Sequence, residues 1–157
     1  MGDHPRRAGD DDVSGFSADW LALRNPADDK ARDAAVVAAA TEWAQRRAAD
    51  RGRALRISDL GGGDGATLRA LDPHLPGAQW RILDHDAGLL ARIEARAGVE
   101  TVQTDLAAAP EAAFSLRPDL ITASAFFDLV SAEWIDRFLP LLAKSGAALY
   151  AALTYDG

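Results

Sequence analysis

Apolar and polar positions change period several times along this chain, and the changes divide it into elements. Residues 27–51 are rich in alanine, with Ala31, Ala35, Ala39 and Trp43 recurring at steps of four. This predicts one long helix with those residues on one face. A shorter amphipathic helix is expected over 16–23, broken at Asn25-Pro26. From residue 54 onward, short apolar runs alternate with helical stretches. Strands are predicted over 54–60, 79–84, 99–103, 120–124 and 147–153, and helices over 66–71, 87–97 and 132–143. Lys144-Ser145-Gly146 closes the last helix, and a short Ala-rich segment follows Asp105. The alternation implies right-handed crossovers and a doubly wound, mainly parallel α/β sheet. No internal repeat or low-complexity linker interrupts it. The expected organisation is a flexible, polar lead-in over 1–14, a helical segment over 15–53 and one core over 54–157.

Composition narrows the chemistry. A chain of 157 residues suits one compact domain. It has no Cys, which excludes a disulfide framework, a thiolate zinc site and a cysteine nucleophile. His4, His74 and His85 are too widely separated to show metal-ligand spacing, so no metal is expected. The net charge of −7 opposes a general nucleic-acid surface, which needs a basic stripe. Basic runs at Arg46-Arg47 and Arg51-Gly52-Arg53 are interleaved with Glu42, Asp50 and Asp59, and read as a solvated helix face. No stretch approaches the ~20 apolar residues of a membrane span, and the charged start has no apolar signal region. A soluble, cytoplasmic chain with neither nucleic acid nor membrane as partner is expected.

The first predicted strand runs into glycines: Arg56-Ile57-Ser58-Asp59-Leu60-Gly61-Gly62-Gly63-Asp64-Gly65, with a helix beginning near Ala66. Such a turn lets backbone approach a nucleotide-like ligand with no Cβ atoms between them. Acids recur at or just past the ends of the first three strands: Asp59, Asp84 and Asp105. In an open parallel sheet, ligands lie outside those ends. For any one acid, a turn or cap duty is as good a reading, as it is for Asp64 and Asp72.

The spacing Asp-x-Gly-x-Gly-x-Gly resembles motif I of the class I S-adenosylmethionine-dependent methyltransferases, a Rossmann-like family. Gly61, Gly63 and Gly65 match its glycines, with Gly62 between them, and the resemblance runs from about Leu55 to Leu153. It implies S-adenosyl-L-methionine as cofactor. Asp59 would lie beside the methionine amino group, Asp84 would accept from both ribose hydroxyls, and Asp105 from the adenine amine. His85 would border adenine, and Leu106 would lend its backbone N–H to the base. An NAD(P)-binding reading also fits Gly61-Gly62-Gly63-Asp64-Gly65-Ala66, with Asp84 as the ribose acid. Against it stand Asp59, where dinucleotide-binding strands are apolar, and the absence of any side-chain pairing suited to hydride chemistry.

The resemblance also implies an acceptor-facing loop over Ser124-Ala125-Phe126-Phe127-Asp128-Leu129-Val130. It lacks the (Asn/Asp)-Pro-Pro-(Tyr/Phe) pattern of enzymes that methylate amino groups of nucleic-acid bases or glutamine. With the acidic charge, this points to a small-molecule acceptor. Asp128 is either a base or a cap for the following helix, a duty Ser131 also suits. Phe126, Phe127 and Trp134 read as core or pocket wall. The segment around Trp20 and Leu23 is a possible lid, from which Arg24 or Arg32 would reach the methionine carboxylate; a surface position is the plainer reading for both. The family completes its sheet with two more strands that this sequence does not supply. The expectation is therefore a shortened chain whose exposed fifth strand invites a homodimer. Two functions follow: a methyltransferase, or a module that binds the cofactor without catalysis.

Overall fold

The computed structural model describes residues 32–153. The expected lead-in, the helix over 16–23, Arg24 and residues 154–157 lie outside them. Helix α1 (Ala34–Arg51) starts where Asp33 accepts from the N–H groups of Ala35 and Val36, and ends at Gly52 in the left-handed conformation. The helix read over 27–51 is interrupted at Asp33, which caps the first turn, and its residues 27–31 lie outside the described ones. Its core face is not the row in steps of four. Ala35 and Ala39 are exposed, whereas Val37, Ala40, Trp43 and Ala44 pack against the sheet. A ridge in steps of four drifts around a 3.6-residue helix, so spacings of three and four share the buried stripe.

The core then alternates: β1 (Arg56–Leu60), α2 (Ala66–Leu71), β2 (Gln79–Asp84), α3 (Ala87–Leu90), β3 (Val99–Gln103), β4 (Leu120–Ser124), α4 (Ala132–Ser145) and β5 (Ala148–Ala152). Every pairing is parallel, in the order β3-β2-β1-β4-β5. Order reverses between β1 and β4, so a crevice opens there at the carboxyl ends. One face of the sheet, with Ile57, Trp80, Ile82, Leu120 and Tyr150, packs under α1, α2 and α3. The other, with Leu60, Leu83, Ile121 and Ala123, meets Trp134 and Phe138 of α4.

One predicted helix comes out differently. The stretch read as helical over 87–97 keeps a single turn, α3, capped by Asp86. Beyond it the chain bends so that Ile93 comes up to Gly65 and Arg96 reaches Asp72 at 2.7 Å. These tertiary contacts outweigh the helix propensity of the Ala- and Arg-containing segment. After Asp105, a 3-10 helix (Pro110–Phe114) is all that crosses between β3 and β4. Leu116 and Arg117 then take positive φ angles of 63° and 51° ahead of Pro118. Ser131, not Asp128, caps α4, by accepting from the Trp134 N–H.

The basic runs are more than a solvated face. Arg46 does pair with Glu42 on the surface of α1, at 2.8 Å. Arg47, Arg51 and Arg53 instead converge on Asp119, which is 2% exposed. Arg53 grips both carboxylate oxygens, at 2.7 and 3.1 Å, and the Arg56 N–H adds a bond at 3.1 Å. Burial opposes ionisation of Asp119, but these donors and charges outweigh it and hold the carboxyl below its ordinary value of 3.8. Its stabilisation is therefore complete above the ordinary Asp range and is lost as pH falls through the lowered value. We expect Asp119→Ala to cost about 3 kcal/mol, because it strands the arginines around an emptied site. Urea unfolding at neutral pH reads that loss, and the variant loses less than the parent on acidification.

Candidate functional site

At the reversal between β1 and β4 the chain leaves Leu60 and folds tightly back. Gly62 N–H donates to the Leu83 carbonyl at 3.2 Å, and Gly65 N–H to the Gly62 carbonyl at 2.8 Å. A Cβ on Gly62 would lie 2.4 Å from Ile82 Cγ2 and 2.7 Å from Asp59 Oδ2. At Gly61, with φ at +59°, it would lie 2.7 Å from the Phe126 ring. The turn can sit this low over the strand ends only because both positions lack side chains.

Asp84, at the end of β2, holds the next part of the turn. Its Oδ2 accepts from the Gly63 N–H and its Oδ1 from the Asp86 N–H, both at 2.9 Å. A carboxylate offers about four acceptor sites, so each oxygen keeps a lone pair for a ligand hydroxyl. His85 is exposed, with Nδ1 at 3.3 Å from Asp84 Oδ1. Asp105 is exposed beyond β3, where Oδ1 accepts from Ala107 and Ala108 N–H in a local turn. Leu106 is buried, and its carbonyl accepts from Trp134 Nε1 at 2.6 Å. This bond fastens the loop after β3 to α4.

Asp59 stands apart from the other acids because it is fully enclosed. It faces Thr122 across the β1–β4 register, and Thr122 Oγ1 donates to its Oδ1 at 2.6 Å. Its Oδ2 has no hydrogen-bond partner among the described residues. Beside it, Thr67 of α2 and Ser124 at the end of β4 share a bond at 2.9 Å, and Arg32 Nη2 donates to Ser124 Oγ at 3.1 Å. Burial raises the Asp59 carboxyl to about 7, against the opposing pull of Thr122, Arg32 and Thr67. Asp84 adds to the rise.

Asp59, Gly61, Gly62, Gly63, Asp84 and Ser124 thus gather at one end of the sheet, with His85, Asp105 and Leu106 continuing along the ends of β2 and β3. Sequence reasoning missed Thr67 and Thr122. The available signal was a hydroxyl inside an otherwise apolar strand, Leu120-Ile121-Thr122-Ala123, opposite an acid. Asp128 is exposed in the loop after β4. Phe126 and Phe127 pack edge-on to Trp134, with ring centroids 5.3 and 6.2 Å away, so the loop has an aromatic base. Among the described residues, no three His, Cys, Asp or Glu side chains gather as metal ligands, and no helix is long and apolar enough to cross a membrane.

No protein-family model and no curated protein match this sequence. Solved structures do. The bifunctional kinase-methyltransferase WbdD superposes with a TM-score of 0.58 at 23% identity, over 80% of this chain and 30% of that one. The plantazolicin methyltransferase BpumL, in complex with a pentazolic desmethylPZN analog and SAH, gives 0.51 at 19% identity, over 78% and 49%. The fold is that of the S-adenosylmethionine-dependent methyltransferases. EvdMO1 aligns at a TM-score of 0.51 and 25% identity, over 70% of this chain and 27% of that one. The chain spans about half, or less, of the length of these proteins. In this fold, the glycine turn follows β1, Asp84 ends β2 and Asp105 lies just beyond β3, at the carboxyl ends of adjacent strands.

The enclosed acid has a measurable signature. Between the ordinary Asp value of 3.8 and about 7, the folded chain holds a proton on Asp59 that the unfolded chain has released. Stability of the ligand-free chain therefore falls as pH rises through that window, by up to about 4 kcal/mol from this group. We expect Asp59→Asn to remove that component, read from urea unfolding at a series of pH values.

Proposed function

We propose that this chain is the S-adenosylmethionine-binding core of a methyltransferase that acts on a small-molecule acceptor. The observation that carries the reading is the pinned glycine turn. Gly61 and Gly62 have no room for a Cβ, so the turn lies close on the strand ends, and Asp84 holds the Gly63 N–H, at the sheet reversal of a methyltransferase fold. The donors and acceptors present fit the cofactor. Asp84 has lone pairs left for the two ribose hydroxyls. Asp105, exposed beyond β3, would accept from the adenine amine, while the Leu106 N–H, which makes no bond among the described residues, would donate to the base. His85 would border the ring. Arg32, held by Ser124, would bring positive charge toward the methionine carboxylate.

The bound cofactor supplies a methyl group already activated on a sulfonium. What remains for the protein is alignment of nucleophile, methyl and sulfur, and exclusion of water. Such a site needs no fixed catalytic side chain. Phe126 and Phe127 would wall the acceptor side, and Asp128 would orient the acceptor or take a proton. The net charge of −7 and the absence of the Pro-Pro loop pattern support a small molecule over nucleic acid.

Calorimetric titration tests the proposal. We expect micromolar binding of S-adenosylmethionine and S-adenosylhomocysteine and no binding of NAD; binding of NAD alone would overturn it. Asp84→Ala should weaken the cofactor at least tenfold, a change of about 1.4 kcal/mol. It should also lower stability by about 1–2 kcal/mol, since the Gly63 and Asp86 N–H groups lose their acceptor.

A further inference from the structure

Asp59 ends a column of polar side chains beneath the glycine turn. The column starts at part-buried Arg32, passes through the hydroxyls of Ser124 and Thr67, and closes on the enclosed pair Asp59–Thr122. The remaining carboxylate oxygen sits directly under Gly62, in the floor of the proposed cofactor turn. Charged groups act on Asp59 from two elements: Arg32, preceding α1, favours its ionised form, and Asp84 of β2 favours its protonated form. Thr122 of β4 and Thr67 of α2, which flank it, do not titrate in this range. Arg32 reaches Ser124 and so approaches Asp59 through two intervening hydroxyls, not by direct contact. A buried carboxylate whose counter-charge does not offset its burial favours its protonated form, and a new positive charge nearby shifts it toward ionisation.

We propose that Asp59 is a proton-coupled counter-charge: it keeps its proton while the crevice is empty and releases it to water when a ligand bearing fixed positive charge settles on the glycine turn. The O–H bond of the acid breaks, the proton passes to buffer, and the carboxylate left behind is balanced by the ligand. This inference rests on the S-adenosylmethionine reading, because that cofactor brings both a sulfonium and an ammonium group. S-adenosylhomocysteine keeps only the ammonium. Asp59 thereby becomes a specificity-determining residue: the affinity ratio of charged cofactor to spent product grows with pH. The raised carboxyl value puts this coupling in the neutral range.

The test is calorimetric titration of the intact chain with S-adenosylmethionine at about pH 7, in two buffers of unlike ionisation enthalpy. We expect release of about half a proton per cofactor bound, and an affinity that rises toward tenfold per unit of pH below that point. Release with S-adenosylhomocysteine should be smaller. Asp59→Asn should abolish release and flatten the affinity profile. Thr122→Val, which removes the donor that favours the carboxylate, should move the rise to higher pH and keeps the test open if the Asn variant does not fold. In His85→Gln the release should persist, whatever that substitution does to affinity. Cofactor binding without proton release, with an unshifted profile in Thr122→Val, would overturn this inference and leave the cofactor reading standing. Absence of cofactor binding at every pH would overturn both.

Discussion

No methyl group fits between Gly62 and the end of β1, and the arrangement of the crevice depends on that restriction. With Ile82 and Asp59 both pressed against the Gly62 backbone, the turn stays close to the sheet. Its height puts the Gly63 N–H within reach of Asp84. It also starts α2 where Thr67 meets Ser124 of β4. A larger residue would lift the turn from the strand ends and undo these contacts together. The constraint is steric first, and the electrostatics follow from it: enclosure under the turn is what makes Asp59 a reluctant anion.

The acids at the strand ends have different environments and so different capacities. Asp84 is nearly buried, and each of its oxygens accepts one backbone N–H. Asp105 faces solvent and spends one oxygen on its own turn. Asp59 has one hydroxyl donor and an oxygen with no partner among the described residues. Similar positions at the ends of neighbouring strands thus yield an acceptor tied into the turn, an exposed acceptor and an enclosed, titrating group.

Much of this fold was legible because a parallel strand covered on both faces reads as a compact apolar run. The bounds of β2 and β4 follow from such runs. Helices were harder. The exposed side of α1 is as rich in alanine as its buried side, so composition alone did not show which side packs. The stretch after α3 has helix-forming residues, but its conformation is set by Asp72 and Gly65, more than twenty residues earlier in sequence. In the candidate site, acids at strand ends and glycines in the turn were readable as types and spacing. Whether each acid is open or enclosed was not, because that depends on the residue across the register. Thr122 lies opposite Asp59 but 63 positions away. The arginines around Asp119 were likewise visible only as a local run, since their partner comes from a distant strand.

That arginine cluster also bears on strand register. When both faces of a parallel sheet are apolar, a strand that slides along its neighbour loses little burial, so hydrophobic pattern is a weak ruler. Asp119 provides a firmer one. Its N–H donates to the Arg56 carbonyl, its carboxylate accepts from the Arg56 N–H, and Arg53 grips it from 66 positions away. Sliding β4 against β1 would carry a buried negative charge away from its donors. The clamp at the amino end of the two central strands therefore keeps Asp59 level with Thr122 at the other, and in that sense the alignment of the crevice is set at the opposite edge of the protein.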